Sequence, residues 1–140
     1  MDQDMAAPEV AGALERALQV IGRNAATFAD SYPDDTTTGN VYQPRRARGS
    51  FAAGGNFGWT TGFWPGMLWL AYEQTGAGRY RQLGERQVAS FAERLAAKID
   101  IDHHDLGFLY TLACVAPWRL LGLPAARDTA LGAARHLLTR

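Results

Sequence analysis

The sequence of 140 residues has little of what marks several protein classes. It contains a single cysteine, Cys114, so it can form no internal disulfide and no zinc site built from several cysteines. Its 14 basic residues balance its 14 acidic residues. Because a nucleic-acid-binding surface or a polybasic membrane anchor needs an excess of positive charge, we expect neither nucleic acid nor membrane as a partner.

Long hydrophobic runs are also missing. The longest apolar stretch, from Phe63 to Tyr72, is interrupted by Pro65 and Gly66 and is too short to span a bilayer. The first ten residues, MDQDMAAPEV, are acidic and do not have the apolar core of a secretory signal. These features predict a soluble, cytoplasmic protein. Since 47% of the residues are hydrophobic, the chain can still build a core.

What the sequence does contain is helical periodicity, which predicts five helices at about 8–29, 61–74, 80–98, 105–121 and 125–140. The second and fourth are apolar almost all round, whereas the third is amphipathic, with Arg94 among its solvent-facing charges. Thr60 or Thr61 is expected to cap the second helix, and Gly76 to end it. Alternating buried and amphipathic helices predict an all-α fold of antiparallel hairpins in two layers, a local pattern that helical solenoids share.

The segment 31–58 is expected to be a long irregular loop. It contains two prolines, five glycines and several Asp and Thr residues, and it shows no convincing strand pattern. Segments of this length are uncommon in compact domains and are either disordered or functional. Its aromatic and basic residues, Arg45 and Phe57 among them, indicate that it packs against the rest of the chain.

Two motifs could carry chemistry. In GWTTGFWPG, residues 58–66, the aromatic rings either fill the core at a helix entrance or form a platform on which a sugar stacks, with Trp59 just before the helix. In DHHDLGF, residues 102–108, Asp102 or Asp105 could cap the fourth helix. A metal site is weakly supported there, because adjacent histidines point in different directions. Alternatively, Asp105 is a carboxylate at the lip of a pocket, with His104 beside it.

Three blocks occur together in order and spacing: GWTTGFWPGMLWLAYEQTG, RQVASFAERL and DHHDLGFLYTLA. With Trp59 and Asp105 separated by 46 positions, they resemble the amino-terminal part of the unsaturated glucuronyl hydrolases, glycoside hydrolase family 88. The resemblance covers nearly the whole chain. It implies that residues 1–140 are the first part of a single (α/α)6-barrel domain, incomplete here, with apolar faces left open on the second and fourth helices.

The resemblance also implies an activity. The family removes a 4,5-unsaturated uronic acid from the non-reducing end of lyase-derived oligosaccharides by hydrating the vinyl ether, with no metal and no cofactor. It implies that Asp105 is catalytic and that Trp59, Phe63 and His104 bind the substrate. The family's acid/base aspartate lies on a later helix and has no counterpart here, so the chain alone is expected to be inactive. A helical-repeat interaction module and a non-catalytic sugar-binding domain remain as alternatives.

Overall fold

A computed structural model describes residues 6–140, with side chains from residue 9 onward. Residues 1–5 of the acidic amino-terminal segment, which does not have the apolar core of a secretory signal, lie outside the described residues. The elements in chain order are α1 (Ala6–Thr27), β1 (Pro33–Thr38), β2 (Val41–Pro44), α2 (Phe63–Thr75), α3 (Gly78–Ala96), α4 (Leu106–Tyr110), a π-helical turn (Thr111–Val115), α5 (Ala116–Leu121) and α6 (Pro124–Leu138). Since α4, the π turn and α5 are continuous, they correspond to the fourth predicted helix.

Two glycines end helices and allow the chain to turn back. Gly76 after α2 and Gly122 after α5 have φ angles of 64° and 66°, a left-handed conformation that glycine adopts without a steric penalty. Their backbone N–H groups donate to the carbonyls of Tyr72 and Trp118. The next helices begin within two residues, so α2 with α3 and α5 with α6 form helical hairpins.

The core lies between the helices and is rich in aromatic side chains. Its largest fully buried members are Trp64, Tyr80, Tyr110, Phe28 and Phe91. Close approach of α3 to α2 depends on Gly84, because a Cβ there would lie 2.4 Å from the Trp69 ring. Within the described residues, no helix has the length and apolar character needed to cross a membrane.

The segment 31–58 is non-helical, as expected, but the expectation that it holds no strand is wrong. Strands β1 and β2 pair antiparallel, with Thr38 opposite Val41 and Thr37 opposite Tyr42. Gly39 and Asn40 join them with φ angles of 57° and 61°, the combination that a two-residue hairpin turn requires. The sequence does not indicate these strands because both are largely exposed and neither alternates apolar with polar residues.

The expected threonine cap of α2 is also wrong. Gly62 precedes the helix, and no side chain caps it. The two threonine hydroxyls bind buried arginines instead: Thr60 accepts a hydrogen bond from Arg45, and Thr61 accepts one from Arg94. The polar residues at this helix entrance therefore tie it to neighbouring loops rather than to the helix backbone.

Candidate functional site

A close backbone contact brings the two sequence motifs together. Gly62 lies against Leu109 of α4, and a Cβ at Gly62 would be 2.8 Å from the Leu109 carbonyl oxygen and 2.9 Å from its Cα. Only glycine permits this approach without a shift of the backbone. The first turn of α2 and the first turn of α4 are therefore neighbours, although their motifs are far apart in the sequence.

Three aromatic side chains form an exposed cluster at this junction, which we call the aromatic rim: Trp59, Phe63 and Phe108. The Trp59 and Phe63 ring centroids are 6.5 Å apart and those of Phe63 and Phe108 are 4.9 Å apart, both in edge-to-face geometry. The three residues remain 52%, 44% and 38% exposed. Scattered exposed apolar residues are ordinary, but a contiguous exposed cluster is typical of a binding surface.

The alternative that the aromatic rings of this motif fill the hydrophobic core is correct for Trp64 and not for Trp59. Trp64 is buried, and its indole N–H donates to the Phe28 carbonyl at 3.1 Å. Trp59 and Phe63, on either side of the helix entrance, are not buried in this way. The structure thus brings the two predicted rings together with a third ring, Phe108, for which the sequence analysis predicts no role.

Asp105 stands immediately before α4, one turn ahead of Phe108. Its side chain accepts no capping hydrogen bond from the helix and is 32% exposed. Within the described residues, two imidazole nitrogens lie close to the carboxylate: Nε2 of His104 at 3.5 Å and Nδ1 of His103 at 3.8 Å. Both carboxylate oxygens can therefore accept hydrogen bonds from a ligand.

The other candidate cap is engaged elsewhere. Asp102 accepts a hydrogen bond from Nε2 of His136 at 3.0 Å, which ties the loop before α4 to α6. His136, which is 27% exposed, thus has a partner. Capping therefore explains neither aspartate of the motif.

The two adjacent histidines have different surroundings. The His104 side chain is 93% exposed and reaches only toward Asp105. His103 turns inward, with Nε2 3.0 Å from the Asp100 carbonyl oxygen and 3.3 Å from Nη2 of Arg94. Among residues 6–140, no three His, Cys, Asp or Glu side chains are grouped closely enough to hold a metal ion.

The position of Arg94 is the main correction to the sequence analysis. It was expected on the solvent-facing side of the third helix, but it is 1% exposed. Its guanidinium lies between the segment before α2 and the loop after α3, and burial lowers its pKa from the ordinary value. Helical periodicity could not reveal this, because the loops that cover Arg94 come from outside the helix.

A second set of contacts holds the same segment. The Asp100 carboxylate accepts hydrogen bonds from the Gly58 backbone N–H at 2.7 Å and from Arg48 Nη2 at 2.9 Å. Buried Arg45 donates to Thr60 and pairs with Asp35 at 3.0 Å. The residues on both sides of Trp59 are therefore fixed, while its ring projects to the surface.

An apolar groove of about 470 Å³ begins at Phe63 and runs between α2 and the π turn with α5. Its walls include Met67, Leu70, Leu112 and Leu120. Such a groove agrees with the open apolar faces expected on the second and fourth helices. It differs from the aromatic rim in having no carboxylate near its Phe63 end, since Glu73 lies three turns along α2.

No family model matches the sequence. The sequence does match individual proteins. The chain is 39% identical over 132 residues to an unsaturated chondroitin disaccharide hydrolase of Streptococcus pyogenes serotype M1, covering 94% of this chain and 31% of that protein. It is 41% identical over 128 residues to an unsaturated glucuronyl hydrolase of Bacillus sp. strain GL1, covering 91% of this chain and 32% of that protein.

Solved structures agree. An unsaturated glucuronyl hydrolase variant from Streptococcus agalactiae, determined in complex with dGlcA-GalNAc6S, superimposes with a TM-score of 0.84 at 38% identity, covering 94% of this chain and 33% of that one. The chain therefore spans about a third of the length of the proteins it matches. The predicted fold class is confirmed: a mostly helical chain that matches about a third of an α/α-barrel hydrolase.

Proposed function

This chain is a homologue of the unsaturated glucuronyl hydrolases, and from that premise we propose that it supplies the uronic-acid-binding part of such an enzyme. The whole enzyme would remove a 4,5-unsaturated uronic acid from the non-reducing end of an oligosaccharide by hydrating the C4=C5 vinyl ether. We also propose a cytoplasmic location for the protein, as the sequence predicts.

One observation carries the proposal: an exposed aromatic surface lies one helical turn from an aspartate that makes no capping bond. Sugar rings present a face of C–H groups that packs on flat aromatic rings, and hydroxyl groups that need acceptors at the edge. In the aromatic rim, Trp59 and Phe63 would contact the uronate face. The Asp105 carboxylate would accept hydrogen bonds from the sugar hydroxyls, with His104 beside it.

The proposed reaction assigns Asp105 a role in orientation rather than proton donation. Hydration adds a proton to C4 and water oxygen to C5, and the resulting hemiketal opens and releases the remaining sugar. The water's second proton passes to a base. The Asp105 side chain makes no capping hydrogen bond with the helix, so its oxygens are available to accept hydrogen bonds from sugar hydroxyls. We place the proton donor outside these 140 residues.

Binding can be tested with matched tryptophan variants. Calorimetric titration with an unsaturated disaccharide should show binding to the wild-type chain. Trp59→Ala should weaken it about tenfold or more, because a lost aromatic contact costs on the order of 1.5 kcal/mol. Trp118→Ala, which removes an exposed tryptophan of α5, is the control and should leave affinity unchanged. Equal losses in both variants would contradict the assignment of the aromatic rim.

Turnover is tested separately, by loss of the ultraviolet absorbance of the C4=C5 bond. The isolated chain should bind without turnover, while the full-length S. agalactiae enzyme serves as the positive control. Robust turnover by the chain would show that the donor lies within it and would overturn the division of roles. Equal affinity for saturated and unsaturated disaccharides would favour the non-catalytic sugar-binding domain.

A further inference from the structure

We propose that Arg94 is a positioning residue that holds Trp59 and Asp105 in a fixed relation, so that both can contact one sugar ring. The inference rests on the proposed function for its purpose. It rests on the contacts of a single guanidinium for its mechanism.

The first group of contacts fixes the segment that carries Trp59. Arg94 Nη2 donates to the Gly58 carbonyl oxygen at 3.1 Å, and Nη1 donates to the Thr61 hydroxyl at 2.9 Å and to Asn56 Oδ1 at 3.1 Å. These acceptors lie before and after Trp59 in the sequence. Because half of the Trp59 side chain is exposed, packing alone holds it weakly, and the order of its ring depends on this fixed backbone.

The second group of contacts fixes the loop that leads to Asp105. Arg94 Nε donates to the Ile99 carbonyl oxygen at 3.1 Å, and Nη2 donates to that of Asp100 at 2.7 Å. Nη2 also lies 3.3 Å from Nε2 of His103, two residues before Asp105. A planar guanidinium with five donors can join two loops at once, whereas a lysine ammonium offers donors from one atom only.

The electrostatics favour positioning over simple stabilisation. Burying a charged guanidinium is costly, and here its nearest carboxylate oxygen, on Asp100, is 3.9 Å away. Most of its compensation comes from neutral carbonyl and hydroxyl oxygens of the two loops. An apolar side chain at this point would avoid the cost of burying a charge, but it would leave both loops without their shared partner.

The test compares Arg94→Lys with Val88→Ala. The first keeps charge and length but loses the planar fork. The second removes buried volume from the same helix, α3, six residues before Arg94. Three quantities are measured on the 140-residue chain: the thermal unfolding midpoint, the ¹⁵N order parameters of the Trp59 and His104 backbone amides, and the affinity for the unsaturated disaccharide.

We expect Arg94→Lys to lower both order parameters from rigid values of ~0.85 toward ~0.6 and to weaken binding about tenfold. Val88→Ala should lower the unfolding midpoint but leave the two order parameters and the affinity unchanged. The proposal would be overturned if, in both variants, the order parameters fell in the same proportion to the loss of thermal stability. If the wild-type chain binds no disaccharide, the proposed function fails. The order parameters of the Trp59 and His104 amides then still test whether Arg94 positions the two loops.

A second variant covers the case in which Arg94→Lys does not fold. Thr61→Val keeps the shape of the side chain and removes one acceptor of Arg94. It should lower the order parameter of the Trp59 amide. Because the guanidinium is displaced, it should lower that of the His104 amide as well. An unchanged His104 amide in a folded Thr61→Val chain would show that the two loops are not coupled through Arg94.

Discussion

Gly62→Ala tests the contact that brings the two motifs together. The φ and ψ angles of Gly62, −65° and −23°, suit alanine, so the backbone conformation itself should not resist the change. The expected destabilisation comes from a steric clash. The new methyl group would meet the carbonyl oxygen, Cα and Cδ2 of Leu109 at 2.8, 2.9 and 3.1 Å.

The expected effect follows from those distances. Ordinary contacts between such atoms are about 3.5 Å, so α2 and α4 must separate by roughly 0.5–1 Å. Two of the three atoms belong to the backbone of a helix and cannot move alone. Overpacking of this kind costs about 1–3 kcal/mol, and we expect a loss of unfolding free energy in that range. The Phe63 and Phe108 rings, now 4.9 Å apart, should separate too.

Urea unfolding measures the free energy, and Gly78→Ala is the matched control. Gly78 begins α3, and no atom lies within 4 Å of a Cβ built there. The same substitution should therefore be neutral or stabilising by up to about 1 kcal/mol, through reduced freedom of the unfolded chain. If Gly62→Ala were as stable as Gly78→Ala, the close approach of α2 to α4 would be refuted.

Three further predictions concern the core. Gly84→Ala should lower the unfolding free energy by about 1–3 kcal/mol in urea, because its methyl group would overlap the buried Trp69 ring. Burial raises the pKa values of Tyr32 and Tyr110, and that of Cys114 to about 12, so stability should fall as pH rises above about 9 for Cys114 and above about 10 for the tyrosines, by up to ~1.4 kcal/mol per pH unit and group. A pH titration of the urea midpoint checks this, and an unchanged midpoint to pH 11 would contradict it. A thiol reagent at pH 8 should modify Cys114 only as fast as the chain unfolds, whereas rapid modification of the folded chain would mean that the thiol is accessible.

The helices could be predicted from the sequence because their signals are local. Apolar periodicity marks each one, and Gly76 and Gly122 mark two of the ends. The hairpin was missed although Gly39 and Asn40, between threonines and Val41, are a local turn signal. Because the flanking residues do not alternate between apolar and polar side chains, that dipeptide alone does not define two strands.

The candidate site could be predicted only where the motif residues themselves carry the chemistry. The sequence predicts Trp59 and Phe63 as candidate stacking residues and Asp105 as a candidate carboxylate of the same site. Phe108 and Arg94 could not be predicted, because their roles depend on contacts between segments. Periodicity placed Arg94 with the solvent-facing charges, while the segment before α2 and the loop after α3 cover it.

The most direct test of the site is to locate the sugar on the chain. Intermolecular nuclear Overhauser effects can be recorded between the unsaturated ring of dGlcA-GalNAc6S and assigned protein side chains. We predict contacts from the ring protons of the unsaturated uronate to the Trp59 and Phe63 rings. Contacts confined to Leu70 and Leu112 in the apolar groove, with none to Trp59, would contradict the account.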